Sequence, residues 1–157
     1  MSFAVMQPYL FPYLGYYQLV NAVDKFVFYD DVTFIKKGFI NRNNILSNGQ
    51  AQRFTLAVPG LSQNKLIKDL EFESNIKKTL KTIKQNYAKA PFFNAVYPIV
   101  ESVLTSENRN VAQLCAKSVK DIFDYLNIKK EFFLSSNLNS DKTLPAHDKL
   151  IAMAGVL

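Results

Sequence analysis

The chain has 157 residues, the size of one ordinary domain, and its 48% hydrophobic and 20% charged residues exclude a disordered polymer. The single cysteine, Cys115, excludes a disulfide scaffold and a clustered thiolate metal site; no apolar run reaches the ~18 residues of a membrane span, and Met1 to Val5 has no secretory layout. The net charge of +6 rests on sixteen lysines and only three arginines, which argues against sequence-specific nucleic-acid reading, where the planar arginine fork is favoured. The expectation is a cytoplasmic domain that does not span a membrane.

Phe3-Ala4-Val5-Met6 predicts a short buried strand. Pro8 and Pro12 then hold Gln7 to Tyr13 in a stiff, extended loop. Leu14, Tyr17, Leu19, Val20 and Val23 predict a short helix, and Lys25 to Tyr29 a second strand ending at Asp30-Asp31. This order predicts a βαβ unit with parallel pairing and a right-handed crossover. A polar loop follows from Val32 to Asn44. Two strands then flank Ser47-Asn48-Gly49-Gln50, where Asn-Gly is a strong hairpin signal, and the second arm, Arg53 to Val58, stops at Pro59-Gly60.

The second half reads as mainly helical. Ile76, Leu80, Ile83 and Tyr87 share one face of a basic helix over 76–89, which Pro91 breaks. Residues 65–89 hold seven lysines against Asp69, Glu71 and Glu73, and such a face is expected to be solvated. Phe92 to Leu104 predicts a helix interrupted near Pro98. Val111, Cys115, Val119, Ile122 and Leu126 form a continuous stripe behind the N-cap candidate Asn110, with Cys115 in the core. Lys130 to Leu134 predicts another strand, followed by a polar Ser/Asn loop, and Asp148 to Leu157 a last helix. Its apolar end has no visible cap, as expected of a fragment of a longer domain. The fold class expected is α/β: a βαβ unit with a mostly parallel sheet, a β-hairpin and a helical second half, in a single domain.

Three clusters could carry chemistry. The loop after the first strand opens a helix, the place where α/β sheets bind ligands, and Gln7, Tyr13 and Tyr16 are its candidates. Asp30 and Asp31 end the second strand and could orient a sugar hydroxyl or help hold Mg²⁺. Lys36, Asn41, Arg42 and Asn43 combine cations with amides, a set suited to a phosphate and a polar acceptor. His147 beside Asp148 is a candidate base, and as the only histidine it excludes a histidine-pair metal site within one chain.

Gln7 to Leu19 (QPYLFPYLGYYQL), Phe28 to Val32 (FYDDV) and Lys36 to Asn43 (KKGFINRN) together resemble the WbqC-like family. Thr55 to Pro59 (TLAVP) and Tyr87 to Phe93 (YAKAPFF) also fit it. Members typically occur with bacterial surface-polysaccharide (O-antigen, lipopolysaccharide) genes and usually continue well beyond the position of Leu157. The resemblance implies transfer of a glycine-like or other acyl group onto an amino sugar on a nucleotide or lipid carrier. On that reading Tyr13, Tyr16 and the helix start hold the carrier. Lys36 and Arg42 take its phosphates, and Asp30 orients or deprotonates the acceptor.

A more distant echo gives an alternative. Tyr13-Leu14-Gly15-Tyr16 lies where Rossmann-like adenylyl transferases carry His-x-Gly-His, with both histidines replaced by tyrosines that are neutral at pH 7. Nucleotidyl transfer would need Mg²⁺ and a nucleoside triphosphate. A non-catalytic module that binds a sugar carrier, a partner enzyme or a second copy as a homo-oligomer is the remaining reading.

Overall fold

The computed structural model describes residues 1–62 and 64–157. In chain order the elements are β1 (Phe3–Met6), α1 (Leu14–Ala22), β2 (Lys25–Phe28), β3 (Arg42–Ser47), β4 (Gln50–Thr55), α2 (Lys77–Tyr87), α3 (Phe93–Leu104), α4 (Val111–Tyr125), β5 (Glu131–Leu134) and α5 (Ala146–Val156), with 3-10 turns at Ile67–Asp69 and Ser135–Asn137. The architecture is mixed α/β: a parallel three-stranded sheet, an antiparallel hairpin and five α-helices among the described residues. None of these helices is long and apolar enough to cross a membrane.

The βαβ unit forms as predicted, with β1 and β2 parallel and Phe3 opposite Lys25. β5 joins on the far side of β2, also parallel, with Lys25 opposite Glu131 and Phe28 opposite Leu134. Side chains alternate across a strand, so Phe26 and Phe28 share one face. There they pack with Tyr16 and Val20 of α1 and with Ala116, Val119 and Phe123 of α4. On the other face Val27 is fully buried, and Lys25 reaches the Leu157 carbonyl at the end of α5.

A second core joins the hairpin to the helices through Ile45, Leu56, Ile67, Phe72, Ile83 and Leu104. α4 lies between the two cores, giving Val111, Leu114 and Cys115 to one and Ala116, Val119 and Phe123 to the other. Asn110 caps it as expected, accepting from the Gln113 amide at 3.1 Å. The hairpin turns at Asn48 (φ 50°) and Gly49 (φ 76°), the left-handed pair that a two-residue turn requires.

Four expectations need correction. The loop predicted to run to Asn44 ends at Asn41, because Arg42, Asn43 and Asn44 pair with Thr55, Phe54 and Arg53. The second hairpin arm is correspondingly earlier, at Gln50–Thr55. α3 is continuous through Pro98: the proline removes one ladder donor, and both it and Asn94, whose carbonyl loses that donor, face solvent. The α4 stripe ends before Leu126, which is 52% exposed at the C-cap while Phe123 takes the core position.

Candidate functional site

Parallel strands β2 and β5 end side by side, so the residues that follow them meet. Asp30, 1% exposed, accepts from Ser136 N at 2.9 Å and Ser136 Oγ at 2.7 Å, and lies 2.9 Å from Ser135 Oγ. Ser135 Oγ also meets Asp31 and accepts the Asp30 amide at 3.0 Å, so a single hydroxyl proton bridges two carboxylates. Asp31 is more open than Asp30, and Lys142 Nζ sits 3.3 Å from its Oδ2 while donating to the Ser135 carbonyl. Burial, with the Asp31 charge beside it, pushes the Tyr29 phenol up from its ordinary value. The result is a polar cluster at the carboxyl ends of the sheet, the position where open α/β sheets hold ligands.

The aromatic loop Gln7–Tyr13 leaves the neighbouring strand β1 at the same end of the sheet. Tyr13 is 61% exposed at the start of α1, and its ring lies over Gly15, where an added Cβ would stand 2.6 Å from Tyr13 Cε2. Tyr16 occupies a different place from the one expected of a carrier-binding residue. It is fully buried, its hydroxyl donates to the Gln7 carbonyl at 3.0 Å, and burial pushes its phenol far up. It therefore supports the loop from beneath rather than presenting a hydroxyl to a ligand.

Phe11 takes a left-handed φ of 45°, a conformation that costs a bulky residue about 1–3 kcal/mol unless its surroundings fix it. They do: Phe11 N donates to Ser118 Oγ at 3.1 Å, and the Phe11 carbonyl accepts from Asn43 Nδ2. Asn43 is thus a tie for the loop. Asn41, expected at a substrate, is buried and donates to the Leu56 carbonyl at 2.7 Å, joining the loop to the end of β4. Arg42 between them differs, since its Nε is buried without a hydrogen-bond partner among the described residues.

Lys36 lies in the exposed turn from Ile35 to Gly38, closed by Gly38 N donating to the Ile35 carbonyl at 3.3 Å. His147 is largely exposed and pairs with Asp148 at 2.9 Å; no hydrogen bond or ion pair among the described residues links it to Asp30 or Asp31. No group of three or more His, Cys, Asp or Glu converges among the described residues, and Asp30 and Asp31 instead engage serines and a lysine.

Beyond Phe11, between the hairpin and the corner of α2 and α3, lies a cavity of about 370 Å³ whose wall is largely apolar. Sequence reading put Ile83 and Tyr87 on one helix face, and that face both joins the second core and lines this space. It also passed over Ser135, Ser136 and Lys142. The available signal was the pair Ser135-Ser136 directly after KEFFL, the same relation that Asp30-Asp31 has to KFVFY.

Comparison with known proteins follows this geometry. Residues 7–155 match the model of the WbqC-like protein family. The chain is 27% identical over 137 residues to the uncharacterized protein Rv1507c of Mycobacterium tuberculosis (strain ATCC 25618 / H37Rv), covering 80% of this chain. The match takes in 56% of that protein, so the chain spans about half the length of the curated relative it matches. No solved structure matches the chain with significance.

Proposed function

The chain belongs to the WbqC-like protein family, and on that premise we propose that it is a transferase of bacterial surface-polysaccharide synthesis, moving an acyl or aminoacyl group onto the amine of a carrier-linked sugar. The observation that carries the reading is the Asp30, Asp31, Ser135, Ser136 and Lys142 group at the carboxyl ends of adjacent parallel strands. A polar cluster with one carboxylate less enclosed than the other suits an acceptor whose amine must lose a proton.

In this reaction the amine attacks the acyl carbon of an activated donor, a thioester or acyl phosphate. The C–N bond forms as the C–S or C–O bond breaks, and the leaving group departs with the electron pair. Asp31 takes the proton that the amine releases, with Lys142 holding the carboxylate in place. Asp30, enclosed by serines, positions Ser135 and Ser136 rather than meeting the acceptor. Gln7 and Tyr13 contact the sugar, and Arg42, whose Nε has no hydrogen-bond partner among the described residues, suits a carrier phosphate.

A thermal-shift panel of nucleotide-linked amino sugars, acyl thioesters, and nucleoside triphosphates with Mg²⁺ tests this. A ligand at about 100 times its Kd stabilises the fold by ~2.7 kcal/mol, or about 5–10 °C in a chain of this size. Shifts by amino sugars and acyl donors support the reading, whereas a shift by triphosphate with Mg²⁺ alone favours nucleotidyl transfer. With a turnover assay in hand, Asp31→Asn should keep its Tm and lose about 10²–10⁴ in rate. Full turnover in that variant removes the role given to Asp31.

A further inference from the structure

The cavity beside the hairpin has no part in the chemistry just described, and its wall is of another kind. Thirteen of its fifteen lining residues are apolar or aromatic, the exceptions being Asn43 and Asn44. Most of the polar atoms it carries are already engaged, and the Asn44 side chain, the exception, belongs to a residue exposed to solvent. The Tyr87 hydroxyl accepts from Leu46 N at 2.9 Å, and the Tyr97 hydroxyl lies 3.3 Å from Glu101 Oε1, to which it donates. Asn43 donates to the Phe11 carbonyl and accepts from Asn44 N at 2.7 Å. A sugar or base entering this space would give up its water without finding new partners. A hydrocarbon would lose nothing. At ~30 Å³ for each methylene-sized unit, the 370 Å³ holds about a dozen of them.

The rim adds a charge preference. α2 gives Ile83 and Tyr87 to the wall, and its exposed side carries Lys77, Lys78, Lys81 and Lys84. Lys84 Nζ stands 5.8 Å from the centroid of the Tyr97 ring, itself part of the wall, so a cation lies at the cavity's edge. Phe11 is held in its left-handed conformation by Ser118 and Asn43 while its side chain lines the same space.

We propose that this cavity binds the hydrocarbon chain of an anionic amphiphile, with Lys84 meeting its head group. Taken with the transferase reading, on which this last step rests, the sugar carrier is lipid-linked rather than nucleotide-linked. The loop Gln7–Tyr13 then serves both ends of the ligand, Phe11 at the chain and Tyr13 at the sugar.

The test is calorimetric titration of the whole chain with n-alkyl phosphates from hexyl to tetradecyl, below their micelle concentrations. Affinity should rise about fourfold for each added methylene and level off near a dozen carbons. Inorganic phosphate should bind weakly, and alkyltrimethylammonium ions of equal length more weakly than the phosphates. Val96→Phe, or Val100→Phe one turn along, fills the space and should bring the plateau to shorter chains with Tm maintained. Lys84→Gln should weaken alkyl phosphates several-fold and leave n-alkanols unchanged. Absence of chain-length dependence overturns the proposal. So does tight binding to phosphatidylglycerol vesicles that neither filling variant alters, which would assign the basic face to a membrane surface instead. The readout is binding rather than turnover, so the two readings fail separately. Alkyl phosphates that bind a chain with no transfer activity keep this site, and transfer without any such binding returns the carrier to a nucleotide.

Discussion

On the sheet face covered by α1 and α4, Tyr16, Phe26, Phe28, Phe123 and Phe132 close on one another at centroid distances of 5.1–6.5 Å. At the hairpin, Phe11, Phe54, Phe93 and Tyr97 instead line a space of about 370 Å³. The residue types are alike; the supports are not. The first set hangs from β2, β5 and two helices pressed onto one sheet face, so every ring finds another ring. The second hangs from a loop, a hairpin whose second strand is mostly exposed, and two helices joined at a proline corner. Phe93 and Tyr97 stack as one pair at 4.8 Å, while Phe11 is held by backbone ties to Ser118 and Asn43 and not by another ring of the set. Ring against ring stabilises the fold, and ring against open space is free to recognise something else.

Truncation is the strongest way to break this contrast. Phe28→Ala should cost about 3–5 kcal/mol, since it leaves a cavity among rings that cannot collapse around it. Phe93→Ala should cost ~1 kcal/mol, mainly its stack on Tyr97 at 4.8 Å. Urea unfolding of both variants gives the two figures, and equal losses would erase the distinction.

Alkaline pH sharpens it by a smaller amount. Burial keeps Tyr16 protonated far above the usual tyrosine range. An unfolded tyrosine ionises near pH 10, so above that value the unfolded chain binds fewer protons than the folded one. Stability from this residue is complete below about pH 10 and falls by ~1.4 kcal/mol per pH unit above it. Burial also pushes the Tyr17 phenol and the Cys115 thiol up. Urea midpoints from pH 9.5 to 11 should therefore fall more steeply than Tyr16 alone requires, and Tyr16→Phe should remove about 1.4 kcal/mol per pH unit of that slope. At neutral pH the variant loses the bond to the Gln7 carbonyl, about 1 kcal/mol.

These effects also mark what was legible in the sequence. The βαβ unit, the Asn48-Gly49 turn and the Asn110 cap rest on local rules, and local rules read well along one chain. The pairing of β5 with β2 joins residues more than a hundred positions apart, and no pattern in KEFFL names its neighbour. For that reason Asp30 and Asp31 were visible as candidates while Ser135, Ser136 and Lys142, which give them their geometry, were not. The cavity was hidden for another reason. A helix face of Ile83 and Tyr87 looks the same whether it meets side chains or empty space, because periodicity reports a side and not its occupant. Asn41 and Asn43 looked like ligand-binding amides, and the backbone took them first: carbonyls of neighbouring segments left without strand partners needed donors.

Tyr13 belongs to neither set of rings, and Gly15 beneath it offers the most delicate test. An alanine there would place its Cβ 2.6 Å from Tyr13 Cε2, so the ring must swing away. Tyr13 is 61% exposed, and an exposed ring can move without disturbing the core. Alanine is favoured over glycine in a helix by up to ~1 kcal/mol, which offsets the small cost of reorienting the ring. Gly15→Ala should therefore leave Tm within about 3 °C of the parent, with any shift upward. Sugar binding at the Tyr13 loop should nevertheless weaken, as it should in Tyr13→Ala, while alkyl phosphates in the apolar cavity bind as before. Loss at both places would mean that the loop from Gln7 to Tyr13 couples them through Phe11. Loss at neither would make Tyr13 an ordinary surface ring and leave Gly15 as accommodation for its packing alone.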